Sequence, residues 1–166
     1  PEGASIAAQG PDAAERCAPP VPVVALAPTS KRPTEPPDGW ARPQGDRTLL
    51  LGTQPGMRFD QIELHAKAGE AIQLVFRNQD DMLHNFVLCA PGRGETVGRA
   101  ALELGLDAAA KNYVPNTDDV LFHTAVVLPG AVDRIYFTAP IRPGSYDFIC
   151  SVPGHFTTMK GSLHVN

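Results

Sequence analysis

The sequence predicts an all-β fold, a Greek-key β-barrel or sandwich of about eight short strands with one inserted helical flap. Three observations predict it. Glycine (15) and proline (17) punctuate the 166-residue chain at a rate that suits many turns rather than long helices. Between those turns, short segments alternate polar and apolar residues as half-buried strands do. Hydrophobic residues make up 43% of the chain, enough to fill one core, and the length suits one compact domain plus an extra segment.

The extra segment comes first. Ten of the 17 prolines fall in residues 1–43, in runs such as Ala18-Pro19-Pro20-Val21-Pro22 and Pro33-Thr34-Glu35-Pro36-Pro37. With neither helical nor strand periodicity, residues 1–45 are expected to form an extended, proline-rich leader or linker. It is either a flexible tether or an arm packed on the domain through Val23–Leu26 or Trp40. The chain starts at Pro1, not Met, which fits a processed or trimmed product.

Residues 46–166 carry the domain. Thr48–Leu51 is a short apolar run, and Gln61–Ala66 alternates. After a turn at Lys67-Ala68-Gly69-Glu70, Ile72, Leu74 and Phe76 share one strand face, with Gln73 and Arg77 on the other. Further strands are expected at Asn85–Cys89, Val120–Val127, Val132–Thr138, Ser145–Ile149 and Met159–Val165, several of them separated by Pro-Gly turns. Residues 92–118 are too long for a tight turn, and Val97, Ala100, Ala101 and Leu104 repeat at helical spacing, which predicts a flap packed outside the strands.

Composition excludes several functions. A net charge of −4 with 19% charged residues argues against a nucleic-acid binder. No stretch approaches the roughly 18–20 apolar residues that span a bilayer. Three cysteines are too few for a disulfide scaffold, and the odd number leaves at least one thiol for another use.

The informative stretch is Cys150-Ser151-Val152-Pro153-Gly154-His155-Phe156-Thr157-Thr158-Met159, one loop with the spacing Cys-x4-His-x3-Met. A second histidine, His84, stands 66 positions before Cys150, at the start of another strand. Two imidazoles, a thiolate and a weak thioether form the soft N/S set of a blue-copper site. Singly, a cysteine or methionine is usually core filler; clustered on one loop with a distant histidine, the four are not. Zinc is the rival metal, but methionine suits it poorly and there is no CxxC pair.

The run Cys150–Gly161, together with Leu83-His84-Asn85-Phe86-Val87-Leu88, resembles the azurin and auracyanin branch of the cupredoxins, over roughly Thr48 to Val165. The domain is also similar to azurin-like modules of larger bacterial haem-binding proteins. The resemblance implies one type 1 copper held by His84, Cys150 and His155 with Met159 axial. It implies that Asn85 and Ser151 tie the ligand segments together, with the Asn85 backbone N–H donating to the Cys150 sulfur. Azurins have glycine before the first histidine. Leu83 stands there in this chain, so four-coordinate copper is expected. Met82, Leu83, Val152, Pro153 and Phe156 are expected to form an exposed apolar rim for partner docking around His155.

The implied function is one-electron transfer between redox partners such as c-type cytochromes or respiratory complexes, in a periplasmic or otherwise extracytoplasmic place, with tethering through the leader as one option. The alternatives are copper storage or delivery, or an electron-relay domain of a larger redox enzyme. An enzyme in its own right is not expected: there is no His-x-His pair, and position 154 is Gly where a binuclear centre needs a second cysteine. His123 is expected to be a plain surface residue, and His65 and His164 at most an adventitious surface pair. Cys17 and Cys89 either form a disulfide in an oxidising compartment or remain two free thiols.

Overall fold

The computed structural model describes residues 31–43 and 45–166. In chain order its strands are β1 (Arg47–Gln54), β2 (Arg58–Phe59), β3 (Glu63–Ala66), β4 (Ala71–Arg77), β5 (Val87–Cys89), β6 (Val120–His123), β7 (Val132–Thr138), β8 (Gly144–Ile149) and β9 (Lys160–Val165). They form a four-stranded sheet ordered β2-β1-β4-β7 and a five-stranded sheet ordered β3-β9-β8-β5-β6. The sheets stack as a sandwich and do not close into a barrel. The two-residue β2 is the strand that the sequence pattern does not announce.

The alternation in β4 explains the stacking. Ile72, Leu74 and Phe76 are fully buried, while Gln73 turns its amide to the Tyr136 hydroxyl at 2.9 Å. β1 runs parallel to β4, and β7 runs antiparallel on its other side, which sets Ile135 opposite Leu74 and Phe137 opposite Ile72. From the facing sheet, Phe148 meets Phe59 edge-to-face at 5.1 Å, and Phe59 meets Phe76 at 6.1 Å. Such contacts add about 0.5–1.5 kcal/mol each beyond area burial.

Several expected strands are shorter than the sequence pattern. β5 starts at Val87, not Asn85, because residues 84–86 pair with Thr124 and Val127 through isolated contacts outside the ladder. β6 stops at His123, and β9 starts at Lys160, just after Met159. These truncations free His84 and Met159 from regular ladders at one end of the sandwich.

The helix α1 (Gly94–Leu102) lies between β5 and β6 and continues into two 3-10 turns, Gly105–Asp107 and Ala109–Lys111. It buries Val97, Gly98 and Ala101 on one face, close to the stripe that the spacing predicts. Gly98 is required by packing: a Cβ there would run into the Phe156 ring. Among the described residues, no helix is long and apolar enough to cross a membrane.

β7 and β6 each form one edge of their sheets, and residues 31–43 lie against both. The Lys31 carbonyl accepts from the His123 N–H at 2.8 Å, and the Pro33 carbonyl accepts from the Tyr136 N–H at 2.9 Å. Arg32 pairs with Asp133 at 3.2 Å, and Trp40 meets Tyr136 edge-on at 6.3 Å. Val23–Leu26 and Cys17 lie outside the described residues, and with them the proposed Cys17–Cys89 disulfide.

Candidate metal centre

His84 is placed by a short antiparallel contact: its N–H donates to the Val127 carbonyl at 3.3 Å and its carbonyl accepts from the Val127 N–H at 2.7 Å. Cys150 directly follows β8, and the loop after it folds back on itself. Gly154, at φ 84°, takes the left-handed conformation that starts the 3-10 turn His155–Thr157. The Met159 N–H then donates to the His155 carbonyl at 2.8 Å, and the Cys150 N–H to the Met159 carbonyl at 3.0 Å. The last two contacts close the Cys-x4-His-x3-Met loop into a ring. Met159 is fully buried in the main core.

Three donors converge. His84 Nδ1 lies 3.7 Å from Cys150 Sγ, His155 Nδ1 lies 3.5 Å from the same sulfur, and the two Nδ1 atoms are 3.2 Å apart. An atom at the centre of that triangle would sit about 2.0 Å from each donor, inside the metal-bond range for imidazole and close to that for thiolate. Among the described residues this is the one grouping of three such side chains, and all three are buried. The donor set therefore fits one transition-metal ion held by two imidazoles and a thiolate. The sequence-derived expectation that His84, Cys150 and His155 come together matches this geometry.

Burial sets the protonation state of the donors. Burial pushes the Cys150 thiol up to about 11, although backbone N–H groups of Asn85 and Val152 directed at the sulfur oppose the rise. Burial likewise lowers the His155 pKa, helped by the neighbouring His84 and opposed by Asp80. Without a metal the pocket thus favours a neutral thiol and a neutral imidazole; a bound cation reverses the preference at sulfur.

Asn85 and Ser151 bind each other twice: Asn85 Nδ2 donates to Ser151 Oγ at 2.9 Å, and the Ser151 N–H donates to Asn85 Oδ1 at 2.8 Å. Asn85 Nδ2 also donates to the Asn112 carbonyl at 2.8 Å. Asn112, left-handed at φ 54°, accepts from the Val126 N–H on its own side chain at 3.0 Å. The end of the flap is thereby tied to the His84 segment and, through Asn85, to Ser151, a role for Asn112 that sequence reasoning missed. Asparagine's tolerance of left-handed backbone was the available signal.

The rim requires a correction. Met82 is 43% exposed, Pro153 is exposed and Leu83 half-buried, but Val152 and Phe156 are buried. Phe156 points inward because α1 offers Gly98 as its seat, and Val152 joins the main core. Leu128, 61% exposed, follows Val127, whose carbonyl shares the Asn78 amide with that of Met82. Sequence reasoning also missed Asp80, whose Oδ2 lies 3.0 Å from His84 Nε2. His65 and His164 are register partners on β3 and β9 with rings stacked at 5.2 Å. His123 is partly buried, which lowers its pKa.

Residues 47–166 match the family model described as copper binding proteins, plastocyanin/azurin family. Auracyanin-A of Chloroflexus aurantiacus is 31% identical over 124 residues, 74% of this chain and 76% of its own. An azurin of Pseudomonas denitrificans is 38% identical over 85 residues, 49% of this chain and 64% of its own. The solved structure of auracyanin A, titled a "blue" copper protein, superposes with a TM-score of 0.65 at 31% identity, over 72% of this chain and 98% of that one. Dithionite-reduced auracyanin from Roseiflexus castenholzii gives 0.65 at 27% identity, over 72% and 96%.

Proposed function

Because the chain belongs to the plastocyanin/azurin family of copper-binding proteins, we propose that it is a type 1 blue copper protein that carries single electrons between redox partners. The observation that carries the proposal is the buried triangle of His84 Nδ1, Cys150 Sγ and His155 Nδ1, with sides of 3.2 to 3.7 Å. These three would hold the copper, and Met159, buried beside them in the core, would add a weak thioether. When bound, copper supplies a reversible Cu(II)/Cu(I) couple, and the thiolate bond favours fast exchange.

The residues have separable tasks. The double Asn85–Ser151 bond holds the two ligand segments in register. The N–H groups directed at Cys150 favour its thiolate. Burial of all three donors excludes water, which would otherwise add ligands and reorganise on every change of charge. His155, 4% exposed against 0% for His84 and Cys150, is the ligand nearest the surface and marks the exit toward a partner. Met82, Leu83 and Pro153, with Leu128, offer the small apolar face that a weak, fast-dissociating redox encounter needs. Partners are other redox proteins, c-type cytochromes or respiratory complexes being the class in view. The place of action is extracytoplasmic, with residues 1–45 as leader and 46–166 as the copper domain.

Copper loading followed by optical and paramagnetic resonance spectroscopy tests the proposal. An intense visible thiolate-to-copper band and a reversible one-electron couple are expected. Cys150→Ser should abolish the band; colour surviving that change would overturn the ligand assignment. Tight Cu(I) binding with no band would instead identify a copper carrier.

A further inference from the structure

Behind His84 lies a buried carboxylate that the ligand triangle does not use. Asp80 is 8% exposed, and its Oδ2 is 3.0 Å from His84 Nε2. A buried carboxylate is costly unless it is held by hydrogen bonds, and each oxygen of this one has a partner. Its Oδ1 accepts from the Asp81 N–H at 2.9 Å, and its own N–H is shared between Thr53 Oγ1 and Asn78 Oδ1, each at 3.0 Å. Thr53 Oγ1 donates to Asn78 Oδ1 at 3.0 Å and accepts from the Gln79 N–H at 2.7 Å. The Asn78 amide then reaches the Val127 carbonyl at 2.9 Å, the same carbonyl that receives the His84 N–H. Carboxylate and imidazole are therefore fixed by one framework.

A carboxylate only accepts, so His84 keeps its proton on Nε2 and turns a bare Nδ1 toward Cys150 and His155. On the copper reading above, we propose that Asp80 is a positioning residue that sets the tautomer and ring orientation of His84 and, as a buried negative charge beside it, favours Cu(II) over Cu(I). A negative charge stabilises the more highly charged oxidation state, and an anionic hydrogen-bond acceptor raises the basicity of the imidazole it holds. Among the described residues the His155 ring has no hydrogen bond to a carboxylate, so the two imidazoles are unequal ligands.

Asp80→Asn keeps the shape and an acceptor while removing the charge. In the copper-loaded variant the affinity for Cu(II) should fall relative to that for Cu(I) by at least tenfold, which raises the reduction potential by about 59 mV for a one-electron couple, with the visible band retained. An unchanged or lowered potential overturns the inference. If the variant does not fold, nitrogen NMR of the metal-free parent protein decides the tautomer. A slowly exchanging Nε2–H on His84 with an unprotonated Nδ1 supports Asp80 as its anchor, and the opposite tautomer refutes it. A parent protein that never turns blue would sink the copper reading, while that NMR result would still judge the Asp80–His84 contact.

Discussion

Replacing Asn85 with leucine tests how the two ligand-bearing segments are joined. Leucine is close in size, so the cost is polar rather than a cavity. The change leaves the Ser151 N–H, Ser151 Oγ and the Asn112 carbonyl without the partners they now hold at 2.8, 2.9 and 2.8 Å. A buried group stripped of its partner costs about 1–3 kcal/mol. Ser151 is 1% exposed and takes that cost in full, whereas Asn112 is only half-buried and recovers part of it from water. The expected loss is therefore about 2–4 kcal/mol, a large share of the roughly 5–15 kcal/mol that a domain possesses. Urea unfolding of the metal-free protein should show the midpoint falling by on the order of 1–2 M at unchanged slope. Ser151→Ala keeps the backbone half of the pair and should lose only about 1 kcal/mol. If Asn85→Leu unfolds within about 1 kcal/mol of the parent, the pair does not hold the segments together.

Three further outcomes are expected. In the copper-loaded protein, Met159→Leu should keep the visible band and raise the reduction potential, since a weak thioether tunes the couple without making the thiolate bond; loss of the band would remove Met159 from the proposed ligand set. Gly98→Ala drives a Cβ into the Phe156 ring; overpacking of about 1–3 kcal/mol outweighs the roughly 1 kcal/mol gained in helix propensity, and a more stable variant would contradict the packing described. Burial, reinforced by Asp147 and Asp119, pushes the Cys89 thiol up to about 12 from 9.0. A raised folded pKa contributes stability that is complete below the unfolded value and is lost as pH rises toward the folded one. Between pH 8 and pH 10 the parent should thus lose about 1.4 kcal/mol more than Cys89→Ala in denaturant titrations, and parallel losses would refute the burial argument.

The ligands are legible because metal chemistry restricts residue type and spacing: Cys150, His155 and Met159 sit on one short loop, and its turn is written in Pro153-Gly154. The sandwich is legible where alternation is strict, as in β4. It fails at β2, where two residues carry no periodicity. The rim fails for a different reason. Local hydrophobicity marks Val152 and Phe156 as apolar but not which way they face, and Phe156 faces inward only because Gly98, 58 positions earlier, vacates the space. Asp80 escapes sequence reasoning similarly. In the run Asn78-Gln79-Asp80-Asp81 it looks like one more turn residue, and only the fold of Thr53 against Asn78 aims its carboxylate at an imidazole.

The supports of the three donors come from different parts of the chain. His84 is fixed through Val127 and Asp80, Cys150 through Met159 and through Asn85 by way of Ser151, and His155 by the 3-10 turn that Gly154 starts. Phe156, the residue after His155, is seated on α1, and Asn112 at the end of the flap bonds to Asn85. The flap is thus part of the mounting for both ligand segments. A site mounted this way would resist the geometric change that Cu(I) and Cu(II) each prefer, because moving one donor strains a framework that spans both sheets and the flap. On the copper reading proposed above, that resistance would keep the reorganisation small between oxidation states, as a one-electron carrier requires of its protein.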